Sequence, residues 1–234
     1  MINQSELSAI LLSILMGLCA VGLGIVPGVA LAWLLARRDF PGKILVETVV
    51  FLPLVLPPVV TGYFLLSIFS DQGALGGVLT RLGIKIIFSW SGMALAAAIM
   101  GFPLLVRTAR ASLENIDPRL ESAARTLGCT PMRTFFSVTL PLAWTGVVAG
   151  SVLCFARALG EFGATAMVSA GTRGNRTISL EIFRHYQTPG QEEAIARLVV
   201  ISVILSAIAL AASELLTTRY RKRGSSPAPK ESSR

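Results

Sequence analysis

LSAILLSILMGLCAVGLGIVPGVALAWLLA, from Leu7 to Ala36, is thirty residues long and holds no Asp, Glu, Lys or Arg. A helix needs about 20 apolar residues to cross the hydrocarbon core of a bilayer, so this stretch reads as a complete span. Three more uncharged stretches are long enough: Thr48–Ser70, Ile86–Val106 and Thr134–Ala156. A fifth run, Leu198–Ser213, lies between Arg197 and Glu214. It becomes a span once Arg197 reaches towards the headgroups and Glu214 faces protein or the opposite interface. The chain as a whole is 53% hydrophobic and only 15% charged, with mean hydropathy +0.68. Soluble domains carry about a quarter charged residues, so lipid is the indicated solvent. The predicted fold class is an all-α integral membrane protein with about five transmembrane helices, near 8–36, 46–70, 86–107, 135–159 and 194–217. Together they make one membrane domain, 1–223, with a long loop at 108–134 and a disordered Ser- and Pro-rich tail at 224–234.

The first span follows Glu6 rather than a basic segment and is too long for a secretory leader, so it reads as a permanent span. The net charge of +8 is distributed by topology, not gathered into a nucleic-acid surface. Fourteen Lys and Arg residues fall in the loops after spans one and three and in the tail; seven fall on the other side. Basic flanks mark the cytoplasmic face, which predicts an outside (periplasmic) N-terminus and a cytoplasmic C-terminus. Cys19, Cys129 and Cys154 have no paired or metal-type spacing, and no metal site is expected. A phosphate loop is missing, as are the signatures of membrane proteases and esterases. The chain is therefore expected to bind no cofactor and to catalyse nothing by itself. His185, the sole histidine, is expected on an outer surface or interface.

Span two carries Pro53, Pro57 and Pro58 within six positions. Each lacks an amide hydrogen and crowds the preceding turn, so the helix cannot run through. Irregular backbone at membrane depth is tolerated only where it is packed in protein or lines a wet cavity, which makes Pro57, Pro58, Val59 and Thr61 candidate lining of a path or gate. Pro27 and Pro103 stand singly and read as simple kinks. In the run Arg157-Ala-Leu-Gly-Glu161, an acidic residue at membrane depth needs a partner, and Arg157 is four residues back. Arg157 and Glu161 are therefore expected to form a structural ion pair. The Gly-rich run after them, uncharged from Phe162 to Thr172, is too short to cross. It is either a buried half-span or the outer end of a helix, and it adds Gly160, Phe162, Gly163, Ala164 and Thr165 to the candidate gate.

The loop segment Asp117–Gly128 reads as a short helix, with Asp117 as cap, Pro118 at the first position and Gly128 as stop. Leu120, Ala123, Ala124 and Leu127 form one small apolar stripe, suited to docking in a groove of another protein. A second helix starts at Thr130-Pro131.

Ala123-Ala124, Gly128 and Val138-Thr-Leu-Pro141 at these spacings resemble the EAA loop of permease subunits from ABC importers. Ser122 stands where that family has its leading Glu, and Glu121 comes one residue earlier. Phe40-Pro-Gly-Lys43, Leu52-Pro-Leu-Val-Leu-Pro-Pro58, Leu159-Gly-Glu-Phe-Gly-Ala-Thr165 and Gln187-Thr-Pro-Gly190 extend the likeness to the molybdate permeases of bacteria. The resemblance implies the type I importer permease fold in the bacterial inner membrane. It further implies that Arg119, Glu121, Ser122, Ala123, Ala124, Arg125, Gly128 and Pro131 belong to a coupling helix that inserts into a cytoplasmic ATPase. The implied partners are a second copy of the chain, two ATPase copies holding ATP and Mg, and a periplasmic oxyanion-binding protein, with import by alternating access. Tungstate, sulfate or thiosulfate are the alternative cargoes. An ion-coupled secondary transporter would show internal repeats and intramembrane carboxylates, and only Glu161 speaks for it.

Overall fold

In this computed structural model the chain is described over residues 3–169 and 176–224. Helix α1 spans Gln4–Arg37 and opens with a capping box. Asn3 caps the first turn, and Glu6 reaches back to the Asn3 amide. Pro27 sits inside α1 without ending it. Then come α2 (Lys43–Val55), α3 (Pro58–Phe69), the short α4 (Gly76–Arg81) and the long α5 (Trp90–Glu114). α5 continues past the expected span end at 107 because its last turns are held by salt bridges. Arg110 contacts Glu114 one turn on and Glu47 on α2, both at 2.7 Å. The loop helices α6 (Pro118–Thr126) and α7 (Pro131–Thr134) lead through a π-helical turn, Phe135–Thr139, into α8 (Leu140–Leu159). α9 (Gly163–Ser169), α10 (Ile178–Tyr186) and α11 (Glu192–Gly224) complete the described chain. The expected tail lies outside the described residues beyond Gly224, as does the end of the 162–172 run.

Among the described residues, four stretches are long and apolar enough to cross a bilayer: α1, α5, Pro131–Leu159 and Glu192–Ala212 of α11. α2 and α3 pass the same test together, but they meet at a bend of 116°. The ends of the bundle show that this bent pair still completes a crossing. α1 ends beside the start of α6 and the end of α5, where Arg37 donates to the Ile116 carbonyl. α2 starts at that same end, whereas α5 begins at the opposite one, where the Phe88 amide meets the Val168 carbonyl of α9. Arg197 near the start of α11 pairs with Glu6 at 2.9 Å, so α1 and α11 both start away from α6. The N-terminus and the end of α11 therefore lie at opposite ends of the bundle.

α1, α5 and α8 form the centre. Lipid supplies no hydrophobic force between helices, so close packing of small residues has to hold them. At Gly150 a Cβ would stand 2.9 Å from the Leu105 carbonyl, and at Gly101 it would stand 2.6 Å from Cys154 Sγ. Ala97, Leu105 and Cys154 fill the middle, with Met16, Met93 and Met100 towards one end and Leu35, Val106 and Leu113 towards the other.

Candidate functional site

Two breaks in the helical ladder face each other. The first separates α2 from α3. Pro57 and Pro58 donate no amide, and the amides of Val60 and Thr61 both turn onto the Pro57 carbonyl. One amide of this helix start remains, that of Val59, and it lies against Gly163. The second break separates α8 from α9. There Glu161, 1% exposed, accepts from the Ala164 amide at 2.8 Å with one oxygen and from Arg157 at 2.7 Å with the other. Thr165 donates to the Phe162 carbonyl at 2.9 Å, and the Phe162 ring packs on Phe183 at 5.1 Å.

Glycines let the two breaks touch. A Cβ on Gly62 would sit 2.8 Å from Ala164 Cα, and one on Gly163 would sit 2.8 Å from Pro58 Cβ. The nine gate candidates thus fall into two groups. Thr61, Gly163, Ala164 and Thr165 are buried in the α3–α9 joint, whereas Pro57, Val59 and Gly160 are exposed beside it and Pro58 and Phe162 are half-buried. Thr61 Oγ1 is buried without a hydrogen-bond partner among the described residues. Such an orphan costs about 1–3 kcal/mol, so this polar atom at the joint works against stability.

On the α6 side of the bend, Phe51, Leu54 and Val55 line a cavity of about 480 Å³ with Arg107, Arg110, Ala111 and Glu114. Arg110 is neutralised by its two carboxylates. Arg107 is exposed and has no ion-pair partner among the described residues. Counting charges for topology hid this pair, since their shared cavity depends on α2 lying against α5.

The loop helix forms as its local signals require. Asp117 accepts from the Arg119 amide at 2.9 Å, and Ser122 donates back to the Pro118 carbonyl. Gly128 closes α6 at φ +86°, a left-handed conformation that glycine adopts freely. Thr130 then caps the turn begun by Pro131. Arg119, Ser122, Ala123, Arg125 and Gly128 are exposed, and so is the stripe formed by Leu120 and Leu127, at 49% and 86%. Ala124 is half-buried. Glu121 points the other way, into the membrane domain, and accepts from Arg37 and Thr139.

At the opposite end, two buried carboxylates escaped the sequence analysis. Glu6 pairs with Arg197, while Glu181 meets Arg184 at 2.6 Å and Arg176 at 3.7 Å. His185 lies 7% exposed beside Glu181, so it is packed within the protein rather than displayed on a surface. Among the described residues, no three His, Cys, Asp or Glu side chains gather as metal ligands do.

Residues 28–222 match the family described as "Binding-protein-dependent transport system inner membrane component". The molybdenum transport system permease protein ModB of Haemophilus influenzae is 48% identical over 220 residues, 93% of this chain and 96% of that protein. The sulfate transport system permease protein CysW of Synechococcus elongatus is 42% identical over 184 residues, 77% of this chain and 64% of that one. Among solved structures, a chain of a bacterial alginate ABC transporter superposes with a TM-score of 0.73 at 15% identity, over 93% of this chain and 80% of that one.

Proposed function

Because the chain belongs to the family of inner membrane components of binding-protein-dependent transport systems, we propose that it is the permease of an ABC importer that moves molybdate. The observation that carries the cargo is the 48% identity to a molybdenum permease over 96% of that protein's length, against 38–42% identity to sulfate permeases over 64–77% of theirs. The fold is that of type I importer permeases.

Two copies would enclose the path on a shared axis, since five spans are few for an aqueous passage of their own. A tetrahedral dianion cannot enter hydrocarbon bare and must cross beside polar groups or water. The exposed face of the α2–α3 bend, with Arg107 below it, supports a path at that place. The exposed stripe of α6 suits a groove in a cytoplasmic ATPase, of which two copies would hold ATP and Mg; this chain would hold no cofactor. With α6 in the cytoplasm, the C-terminus lies there too and the N-terminus is periplasmic, where a binding protein delivers the anion. ATP binding draws the two α6 helices together and opens the path outward; hydrolysis resets it.

The test is ATP-dependent molybdate uptake in proteoliposomes holding this chain, its ATPase and its binding protein. We expect uptake to need all three, and to fall when Ala124 or Gly128 is replaced by Leu. Uptake by the chain without any ATPase, driven by an ion gradient, would overturn the importer reading.

A further inference from the structure

α6 has to pass on the motion of whatever grips it, yet it is barely attached. None of its residues is buried, and of its nine positions only Glu121 and Ala124 are partly covered. Apart from the chain on either side, its polar tether among the described residues is a single carboxylate oxygen. Glu121 Oε1 accepts from Arg37 Nε at 3.1 Å and from Thr139 Oγ1 at 3.0 Å, and it lies 3.0 Å from Arg37 Nη2 in an ion pair. The tether is sheltered: the Arg37 and Glu121 side chains are 14% and 13% exposed, and Thr139 is 1% exposed. Charge-assisted bonds of this kind are short, directional and stronger than neutral ones.

The two anchors are placed to spread a displacement. Arg37 is the last residue of α1, and six positions later the chain starts α2, the lower arm of the bent pair. The same guanidinium holds the Ile116 carbonyl at 3.2 Å, which ties the α5–α6 link to the same point. Thr139 is the last residue of the π-helical turn at the foot of α8, and α8 ends at the second break. Single π turns are points of register slack within a helix and recur where function needs local adjustment. One carboxylate thus joins α6 to the roots of both broken elements.

We propose that Glu121 is the positioning residue that transmits displacement of α6 to the two breaks, through Arg37 to the α1–α2 corner and through Thr139 to the π turn of α8. It acts inward, while the exposed stripe of α6 faces the partner. This assignment rests on the importer reading above. It concerns how movement leaves α6, not what cargo is carried.

The experiment uses the full complex in proteoliposomes and two readouts: anion uptake per ATP hydrolysed, and the distance between spin labels on Val55 of the two copies with and without nucleotide. The unmutated complex tests the importer reading alone. The distance readout does not depend on the cargo, so it still decides the inference if molybdate proves the wrong anion. For Glu121→Gln we expect assembly and ATP hydrolysis to persist while uptake per ATP falls about tenfold, the size of one lost charge-assisted cluster. The nucleotide-dependent label distance should shrink towards no change. The exchanged pair Arg37→Glu with Glu121→Arg should recover part of both. If Glu121→Gln fails to assemble, Thr139→Val, which removes one donor and leaves the outer face of α6 intact, must show the same uncoupling at smaller size. Unchanged uptake per ATP and an unchanged label movement in a variant that assembles would overturn the proposal.

Discussion

The α2–α3 break and the α8–α9 break are built from opposite chemistry. The first is covalent: Pro57 and Pro58 forbid a continuous ladder whatever surrounds them. The second contains no proline and exists because Glu161 satisfies the Ala164 amide while Arg157 balances its charge. A covalent break keeps its place in any conformation, and packing sets only its angle. A break held by one buried ion pair is as stable as that pair. Pressing the two together through Gly62 and Gly163 lets the rigid break brace the conditional one.

Glu161→Ala should have the largest effect. It leaves Arg157 facing apolar surroundings and the Ala164 amide bare, at a cost of about 3 kcal/mol, the low end for broken buried pairs because Arg157 is partly exposed. A fall in the thermal unfolding midpoint of the detergent-solubilised chain reads it. Glu161→Gln, which keeps an acceptor for the amide, should lose only about half as much. Next comes Gly62→Val, whose side chain would meet the Ala164 backbone, which cannot swing away. Overpacking of this kind costs about 2 kcal/mol by the same melt, and it should part α3 from α9.

The first break should resist more. Replacing Pro57 and Pro58 together by Ala frees the unfolded chain and costs about 1 kcal/mol. A shift in melting as large as that of Glu161→Ala would show that the prolines carry packing as well as backbone geometry. The smallest effect has the other sign. Thr61→Val removes a buried hydroxyl without a partner and should stabilise the chain by about 1 kcal/mol. If uptake slows in this more stable variant, the hydroxyl serves the path; if uptake is unchanged, it serves neither.

Much of this was legible along the chain because the signals are local. Uncharged runs mark the spans, three close prolines mark the first break, and the Asp117-Pro118 and Gly128 pair brackets α6. Arg157 and Glu161, one turn apart, pair as their spacing suggests. What was not legible depends on residues that meet only after folding. Glu6 and Arg197 are 191 positions apart, and nothing near either one announces the other. Glu121 reads as a coupling-helix residue, yet its direction is decided by Arg37, 84 positions earlier. The severity of the α2–α3 bend is likewise a tertiary result. Prolines predict that a helix fails, and only the seat of α3 against α9 says that it turns by 116°.

The start of α3 has a further consequence, for kinetics. Helix starts usually hold tetrahedral oxyanions through several free amides. Here two residues have no amide hydrogen, two amides are already bonded to Pro57, and the last faces Gly163. On the proposed path, an ion passing this turn would meet almost no backbone donor, so its residence time there should be short. If the proposed path runs past this turn, discrimination among anions falls to groups other than its backbone amides.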